Sequence, residues 1–584
     1  MATTRNPVSL LAFEIGSVTT RAILFDVVEG RYRFLGTGVA PTTAVAPYND
    51  IGEGIRLALD HLQEITGRKL VGTDQRLIIP GKADGSGVDT CVATVSAGPP
   101  LKVVAIGLLE DISTDSAQNL ATTTYAQVMD RISLNDQRNA SARLDAILRA
   151  KPDLVIVAGG IENGASDSVL AVLETVGLAC YLIPKERRPE VLYAGNSGLV
   201  NEVRALIGSS TSLHVAPNVR PALEIEQLTP AQPQLAQVYR HIRAKQIHGI
   251  QELDLWSGGK LMPTATAFGR TIRFISKEYA KTNKGVLGVD VGSSATTIAS
   301  AFSGELVLNV NSRFGIGESL PGILSACSVR DILRWIPYGI SDDEVRAYIY
   351  NKSLYPSILP VRPEELAVEQ ALACQAIHLS VKQASKNFPA GISRSSPRLL
   401  PWFEPVIAAG SVLTQAASQG QSVMMLLNGL QPTGVTTLAL DRNNFAAALG
   451  AAAAVNPLLT VQSLDASNFI NLCTVISTVG NVSYGTPILR VRVNYADGSE
   501  SNLEVKSGAL EVIRLPKGQA VNLYLQPLHR VDIGMGGAGR GGNVKVMGGA
   551  LGIVIDARGR PLQLPEESTQ RCELLKKWSA ALGG

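Results

Sequence analysis

The chain has 584 residues, of which 45% are hydrophobic and 18% are charged, and 53 Lys and Arg stand against 50 Asp and Glu. At about 150 residues per domain, this length predicts three or four structural units. The formal charge of +3 is spread along the chain without a basic block, so the composition supports neither nucleic acid nor an acidic membrane surface as a partner.

The sequence also gives no sign of membrane insertion or secretion. Its richest apolar run, at residues 445–455, is about half of the roughly 20 residues that a membrane span needs. Residues 1–10 lack the apolar core and cleavage pattern of a signal peptide, so we expect a cytoplasmic protein without a membrane span. The six cysteines lie at least 47 residues apart, which excludes C-x-x-C spacing and predicts reduced, buried thiols.

The first 70 residues predict three strands and a helix. Three β-rich apolar runs lie between residues 8 and 39, and Gly16 separates the first run from the second. Asp50 and Glu53 have the spacing of a helix capping box, and the apolar residues of 51–65 fall on one helical face.

From residue 91 onwards, apolar runs alternate with amphipathic stretches. The predicted strands are 103–108, 154–158, 179–183 and 191–193, and the predicted helices are 141–150 and 168–176. This alternation predicts an α/β arrangement with a mainly parallel sheet. The following segment is poorer in strands, with helices predicted at 235–246 and 268–279.

A second start occurs at Gly285. There VLGVDVGSSATTIASAF repeats the layout of LLAFEIGSVTTRAILF near the beginning of the chain, which indicates an internal duplication. A helix at 363–386, a strand at 406–409 and an Ala-rich helix at 444–455 are predicted next. After Asn456 the pattern becomes β-rich, with strands such as 488–493 and 503–505 and a final helix at 570–581.

Two matching loops have the residues for phosphate chemistry. In each, a carboxylate at a strand end precedes a glycine turn and hydroxyl side chains, at Glu14, Gly16, Ser17 and Thr19 and again at Asp290, Gly292, Ser293 and Ser294. Backbone N–H groups of a tight turn can bind phosphate oxygens, while a carboxylate holds Mg²⁺ through water. One such loop is equally consistent with an ordinary turn, but two copies 276 residues apart favour a phosphate-binding role.

A third loop lies about 120 residues beyond Asp290. Here a buried strand at 406–409 turns at Gly410 and Ser411 into a helix, and an adenine could lie against this backbone. Two phosphate loops and an adenosine loop, in this order on a duplicated α/β core, resemble the actin, sugar kinase and Hsp70 superfamily of ATPases.

Several segments more closely resemble one branch of that superfamily, the glutamate mutase L family of proposed reactivating factors for adenosylcobalamin-dependent mutases. These segments are EIGSVTTRAILFDV, PDLVIVAGGIENG, VAPNVRP, LMPTATAF and GVLGVDVGSSATT. The resemblance covers most of residues 8–455 and, more weakly, GGALGIVIDARGRPL. It implies a duplicated actin-like (ribonuclease H-like) ATPase core with a β-rich C-terminal domain.

On this resemblance we expect four parts. They are a first actin-like half with inserted α/β segments at 1–221, a helical bridge at 222–284, a second actin-like half at 285–458 and a β-rich C-terminal domain at 459–584.

The resemblance also implies functional roles. Glu14 and Asp290 would serve catalysis and Mg²⁺, Gly410 and Ser411 would flank adenosine, and the remaining loop residues would contact the phosphates of ATP. The implied activity is a weak ATPase with a chaperone-type role toward a cobalamin-dependent mutase. A non-hydrolysing scaffold or self-assembling filament is the alternative, and a small-molecule kinase is the third possibility.

The chain departs from the family pattern at three positions. Glu14 replaces the usual Asp, Ser293 replaces a glycine, and Thr297 replaces an acidic residue that would be expected to position metal or water. A landmark that follows the second loop in the family corresponds to residues 313–318, with its acidic residue displaced to Glu318. These departures favour nucleotide binding over hydrolysis.

Other candidates have ordinary structural interpretations. The glycine-rich run at 534–542 lacks the following amphipathic helix of a dinucleotide-binding motif and predicts a turn. The six histidines have no metal-ligand spacing in the sequence, and His241 and His248 are expected at the surface. Asp556, Arg558 and Arg560 are expected to form an internal ion pair.

Overall fold

The computed structural model describes residues 9–279, 283–465 and 469–583, so Val8 of the first predicted strand lies outside the described residues. The chain divides into two compact units. The first comprises Met1–Ala267, Val310–Ser312 and Ala447–Thr460, and the second comprises Phe268–Asn309, Arg313–Ala446 and Val461–Gly584.

The chain up to residue 278 forms ten strands and eight α-helices among the described residues. The strands are β1 Leu10–Ile15, β2 Thr19–Val28, β3 Arg31–Pro41, β4 Thr90–Val95, β5 Leu101–Ile106, β6 Ala126–Ile132, β7 Leu154–Val157, β8 Glu190–Tyr193, β9 Leu213–Val215 and β10 Met262–Pro263. The helices are α1 Gly52–Thr66, α2 Asp115–Ala121, α3 Ala140–Ala150, α4 Asp167–Leu182, α5 Val200–Ile207, α6 Gln232–Gln246, α7 Ile250–Trp256 and α8 Thr264–Glu278.

The remainder of the chain consists of a mixed α/β part followed by a β-rich part. The strands are β11 Gly285–Val291, β12 Thr296–Phe302, β13 Glu305–Asn311, β14 Phe403–Ala409, β15 Gly434–Leu440, β16 Ile470–Ser477, β17 Pro487–Asn494, β18 Glu500–Lys506, β19 Leu510–Ile513, β20 Ala520–Pro527, β21 Gly542–Met547 and β22 Ile553–Asp556. The helices are α9 Leu320–Ala326, α10 Val329–Leu333, α11 Asp342–Leu354, α12 Pro363–Ala384, α13 Ser411–Thr414, α14 Gln419–Leu430, α15 Phe445–Ala452, α16 Pro457–Asp465 and α17 Ser568–Ala581.

The predicted duplication is confirmed by the order of the strands. In the first unit the order is β10-β4-β1-β2-β3, and the sheet of the second unit begins β13-β12-β11-β14-β15. In both, the central strand pairs antiparallel with the next strand of the chain and parallel with the strand on its other side. This is the ribonuclease H-like order, so the duplicated actin-like core is confirmed, and the second copy is extended by β16, β22 and β19.

Apolar sequence explains why β1 and β11 occupy the centres of their sheets. All six residues of β1 are buried, and six of the seven in β11 are buried. Strands covered on both faces have continuous apolar runs rather than alternating ones. The helix α1 packs its buried face of Ile55, Ala58 and Leu62 on β3, where a side chain at Gly38 would collide with the Ala58 carbonyl.

A separate parallel sheet is inserted between β4 and β10. Its order is β6-β5-β7-β8-β9, every pair is parallel, and its core includes buried Val104, Ile156 and Tyr193. The predicted mainly parallel arrangement is therefore confirmed for this segment. The β-rich C-terminal region includes the antiparallel sheet β18-β17-β20-β21, whose β17 alternates buried and exposed residues in its second half.

Two local predictions were wrong. Residues 179–183 do not form a strand, because α4 continues to Leu182 and buries Ala179 and Cys180 on the same face as its earlier apolar residues. The capping box at Asp50 and Glu53 does not form, because Ile51 is the N-cap of α1. Asp50 instead accepts a hydrogen bond from the Gly52 N–H at 2.7 Å.

Several other features agree with the sequence. All six cysteines are free thiols, with Cys327 and Cys572 half-buried and the other four buried. The glycine-rich run at 534–542 forms turns between β20 and β21, and Gly534, at φ +81°, packs on the backbone of Gly434. Within the described ranges, every helix is too short or too polar to cross a bilayer.

Asp556 forms the predicted ion pair and does so with both arginines. Its carboxylate lies 2.8 Å from Arg558 Nη2 and 2.6 Å from Arg560 Nη2, and all three side chains are fully buried. Burial alone would raise the pKa of Asp556, but the charges and hydrogen bonds of the two guanidinium groups hold this pKa well below its usual range. Arg558 also donates to Asn428 Oδ1 at 2.9 Å and lies over the Trp578 ring, which connects three parts of the second unit.

We predict that Asp556→Asn lowers the free energy of unfolding by about 3–5 kcal/mol, because it leaves two buried guanidinium charges without their anion. Urea denaturation of the full chain measures this loss. The control is Asp497→Asn in an exposed turn, for which we expect a change within about 0.5 kcal/mol. Equal effects of the two substitutions would show that the Asp556 ion pair has no special importance.

Candidate functional site

The first loop joins β1 to β2 through a tight glycine turn. The Gly16 N–H donates to the Thr19 carbonyl at 2.9 Å, and a Cβ atom at Gly16 would lie 2.8 Å from that oxygen. Ser17 is 8% exposed, and its Oγ makes no hydrogen bond within the described protein. The turn therefore presents a buried hydroxyl that lacks a partner at the end of a central strand.

Glu14 lies two residues before Gly16 in the chain, and its Oε2 accepts a charged hydrogen bond from Arg21 Nη1 at 2.9 Å. The side chain of Glu14 is 9% exposed. In the sheet, Glu14 pairs with Thr94 of β4, which in turn pairs with Met262 of β10. These three strands are parallel, so the loops that follow them lie at the same edge of the first sheet.

The second loop repeats this construction in the second unit. The Gly292 N–H donates to the Ala295 carbonyl at 2.9 Å, which is the same bond at the same spacing as in the first loop. Ser293 Oγ is buried and makes no hydrogen bond within the described protein, like its counterpart Ser17. Asp290, half-buried near the end of β11, is opposite Thr297 of β12.

The structure brings the segment at 313–318 onto the second loop. The N–H groups of Ile316 and Gly317 donate to the carbonyls of Gly292 and Ser293 at 3.0 and 2.9 Å. A side chain at Gly317 would collide with Ser293 Oγ. Ser294 also belongs to this cluster, because its carbonyl accepts a hydrogen bond from the Ser319 hydroxyl at 2.7 Å.

Gly410 lies at the end of β14, next to the second loop. Its φ of +96° favours glycine, and a Cβ atom here would collide with the carbonyl of Val291. Ser411, at the start of α13, is exposed. The second unit therefore brings Asp290, the Gly292 turn and Gly410 close together.

Sequence reasoning missed two polar residues at these strand ends. Asp441 follows β15 and accepts hydrogen bonds from the N–H groups of Phe445 and Ala446, both at 2.8 Å, at the start of α15. Thr264 follows β10, is 3% exposed, and has an Oγ1 without a hydrogen-bond partner among the described residues. The LMPTATAF segment included Thr264, but nothing in its residue types distinguished this hydroxyl.

One further polar cluster lies in the inserted sheet and was also missed. Glu190 Oε2 lies 2.8 Å from His214 Nε2, and its Oε1 lies 2.9 Å from His241 Nδ1 and 2.7 Å from Lys245 Nζ. Among the described residues, Glu190, His214 and His241 form a group that could hold a metal ion. They come from β8, β9 and α6, so their sequence spacing gave no signal.

The present contacts of Glu190 are those of an ion cluster. Its side chain is 3% exposed, and the Lys245 ammonium group already neutralises it. Burial alone would raise the pKa of Glu190, but hydrogen bonds from His214 and Lys245 and the nearby His241 lower it to about 2.

Comparisons with known proteins agree on the family. The protein-family model described as MutL protein matches residues 10–467, which is more than half of the chain. A curated relative, Protein MutL of Clostridium tetanomorphum, is 22% identical over 439 residues, covering 70% of this chain and 87% of the relative.

Three solved structures are similar to the chain at low identity. The nucleotide-free structure of acetone carboxylase is 12% identical to this chain. The match covers 86% of this chain and 81% of the acetone carboxylase chain, with a TM-score of 0.32. The ethanolamine utilization protein EutJ from Carboxydothermus hydrogenoformans is 11% identical, covering 76% of this chain and 89% of its own with a TM-score of 0.26. The (R)-2-hydroxyglutaryl-CoA dehydratase component A of Acidaminococcus fermentans is 8% identical to this chain. The match covers 77% of this chain and 99% of the dehydratase component, with a TM-score of 0.26.

We predict that Glu190→Gln lowers the free energy of unfolding by about 2 kcal/mol at pH 7, because it removes a buried carboxylate from three partners, two of which are partly exposed. The pKa of about 2 for folded Glu190 lies below its ordinary value of 4.5, so this stabilisation is present above about pH 4.5 and is lost as the pH falls toward 2. The difference between wild type and variant should shrink between pH 5 and pH 3 on urea denaturation. Glu174→Gln, at an exposed position of α4, is the control, and a pH-independent difference would contradict the account.

Proposed function

The chain belongs to the MutL protein family, and on that premise we propose that it is an ATP-binding actin-like protein with a chaperone-type role toward a cobalamin-dependent mutase. The observation that carries this proposal is a pair of glycine turns at corresponding strand ends of the duplicated core, whose Ser17 and Ser293 hydroxyls have no hydrogen-bond partner among the residues described.

The fit between these loops and ATP rests on hydrogen-bond accounting. A buried hydroxyl without a partner costs roughly 1–3 kcal/mol, and most buried polar atoms in folded proteins have partners. A phosphate oxygen would supply the missing acceptor for Ser17 Oγ and Ser293 Oγ. We propose that Gly16, Thr19, Gly292 and Ser294 contact phosphates beside these turns as well.

We propose that Asp290 and Glu14 hold Mg²⁺ through water. Mg²⁺ keeps several waters and prefers oxygen ligands, so a carboxylate beside a phosphate loop suits it. When bound, Mg²⁺ would neutralise phosphate charge. Because Arg21 already neutralises part of the Glu14 charge, Glu14 should contribute less to metal binding than Asp290 does.

The third loop would receive the nucleoside. Gly410 lets the backbone turn directly against the end of β11, and the neighbouring Ser411 is exposed. We propose that adenosine lies beside these two residues. The contribution of the protein would then be positioning and charge stabilisation, which is the main source of catalysis in phosphoryl transfer.

One observation favours a second candidate function, a scaffold that binds nucleotide without hydrolysing it. Thr297, at the position where the family pattern has an acidic residue, is 1% exposed and lies in the β11–β12 pairing opposite Asp290. A buried threonine cannot activate a water molecule as a carboxylate does. Weak or absent hydrolysis is therefore consistent with this geometry, and self-assembly remains part of this alternative.

We predict that Ser17→Ala and Ser293→Ala each weaken Mg-ATP binding about tenfold, because each removes a hydrogen bond to a charged acceptor. The same substitutions should leave the free energy of unfolding unchanged or slightly higher, since they remove unpartnered buried hydroxyls. Isothermal titration calorimetry and urea denaturation measure the two effects. Ser133→Ala is the matched control, because Ser133 Oγ is also buried and unpartnered but follows β6 of the inserted sheet.

We predict that Asp290→Ala abolishes the dependence of ATP affinity on Mg²⁺, with a smaller effect of Glu14→Gln. Phosphate release should be measured in the same samples. Binding without release would select the scaffold over the ATPase, and absence of nucleotide binding in wild type would overturn the proposal as a whole.

The chaperone role requires a separate experiment with a client. A purified cobalamin-dependent mutase carrying an inactive cobalamin is incubated with this protein and Mg-ATP, and released cobalamin is measured by absorbance after filtration. Release that requires both Mg-ATP and intact Ser293 would support the reactivating role. Equal release with Ser293→Ala, or without this protein, would contradict it.

A further inference from the structure

The inserted parallel sheet has a pocket of its own. We propose that this pocket binds a neutral, mainly apolar small molecule, separate from the nucleotide proposed above. The argument starts from the topology. The first strand of the insert, β5, is followed by β6 on one side and then by β7 on the other, so the chain reverses direction across the sheet between β5 and β7. In open α/β sheets, ligands bind outside the carboxyl ends of the strands at such a switch point.

The pocket lies at this switch point. It has a volume of about 480 Å³, and its lining comes from the loops after β5, β6 and β7, the start of α4, and the segment that contains Arg220. This volume is within the range of roughly 300–1,000 Å³ that is typical of small-molecule sites. Residues Glu110–Thr114, which form part of the wall, adopt a π-helical turn, a rare conformation that is frequent at functional sites.

The walls favour an apolar ligand. They include the side chains of Leu108, Ile112, Leu134 and Ile161. Placing a small apolar molecule against these side chains removes apolar surface of both partners from water.

The rim contains apolar surface that is exposed to solvent in the protein alone. Leu109 is 44% exposed and Leu223 is 51% exposed, and both line the pocket. Covering them with an apolar ligand would remove this surface from water, at about 25 cal/mol per Å². The pocket therefore offers binding energy from its rim as well as from its interior.

The charges near the pocket disfavour an anionic ligand. Glu110 and Asp111 are exposed in the loop after β5, and Asp167 is exposed at the start of α4. Arg220, which lines the pocket, is already engaged, because it donates to Ser116 Oγ at 3.0 Å and lies 3.5 Å from Glu226 Oε1. These neighbouring carboxylates would repel a phosphate.

The test uses the full-length protein with lumichrome and riboflavin as neutral fused-ring probes and flavin mononucleotide as the phosphorylated counterpart, followed by fluorescence quenching. We expect saturable binding of both neutral probes and at least fivefold weaker binding of flavin mononucleotide. Absence of saturable binding by the neutral probes, or tighter binding of the phosphorylated one, would overturn the proposal.

Variants locate the binding site. Ala165→Trp, at an exposed position that lines the pocket, should weaken probe binding at least tenfold, and Leu223→Ala should weaken it about threefold. Leu178→Ala is the matched control, since Leu178 is 49% exposed on α4 and does not line the described pocket. Unchanged binding with both pocket variants would contradict this site.

Saturating Mg-ATP separates this proposal from the nucleotide proposal. We expect Mg-ATP to leave probe affinity unchanged, and Ser293→Ala to leave it unchanged as well. Displacement of the probe by Mg-ATP would show that the probe occupies the nucleotide site, which would overturn the proposal even though the nucleotide proposal stood.

Discussion

One backbone hydrogen bond, formed once in each unit, shapes both candidate phosphate loops. In each copy of the core, a glycine N–H donates to the carbonyl three residues later at 2.9 Å, from Gly16 to Thr19 and from Gly292 to Ala295. This bond closes the turn after the central strand, and the next residue, Ser17 or Ser293, has a buried hydroxyl without a hydrogen-bond partner in the described part of the chain. The fold supplies the strand and the turn, and a ligand would supply the missing partner.

Sequence patterns predicted the core of this fold because its strands and turns are specified by residues that are close together in the chain. Continuous apolar runs specified the buried central strands, and the repeated carboxylate, glycine and hydroxyl order revealed the duplication. The failure at residues 179–183 has a local cause as well. Its apolar residues were consistent with either a strand or the end of a helix, and packing of Ala179 and Cys180 on the face of α4 decided between them.

The rest of the site depends on contacts between distant segments, which periodicity cannot predict. Arg21 pairs with Glu14 across two strands, and Gly317 packs on Ser293 from a segment that residue types alone did not place there. The cluster of Glu190, His214 and His241 comes from three separate elements of the inserted sheet. In each case the residue types were visible in the sequence, but their proximity follows from topology.

The inserted sheet gives the first unit a second place at which a small molecule could act. Its strand order creates the crevice, and its apolar walls set the chemistry of what could enter. The exposed acidic residues near it would disfavour the phosphates that the turns of the duplicated core would attract.

The most direct test of the account is the double variant Ser17→Ala with Ser293→Ala, for which Mg-ATP affinity and the free energy of unfolding are measured on the same preparation. The account predicts an affinity loss of about a hundredfold, with stability unchanged or slightly increased. Unchanged affinity would contradict it, because the two hydroxyls would then have no part in binding nucleotide. A parallel loss of stability would also contradict it, because the hydroxyls would then be serving the fold.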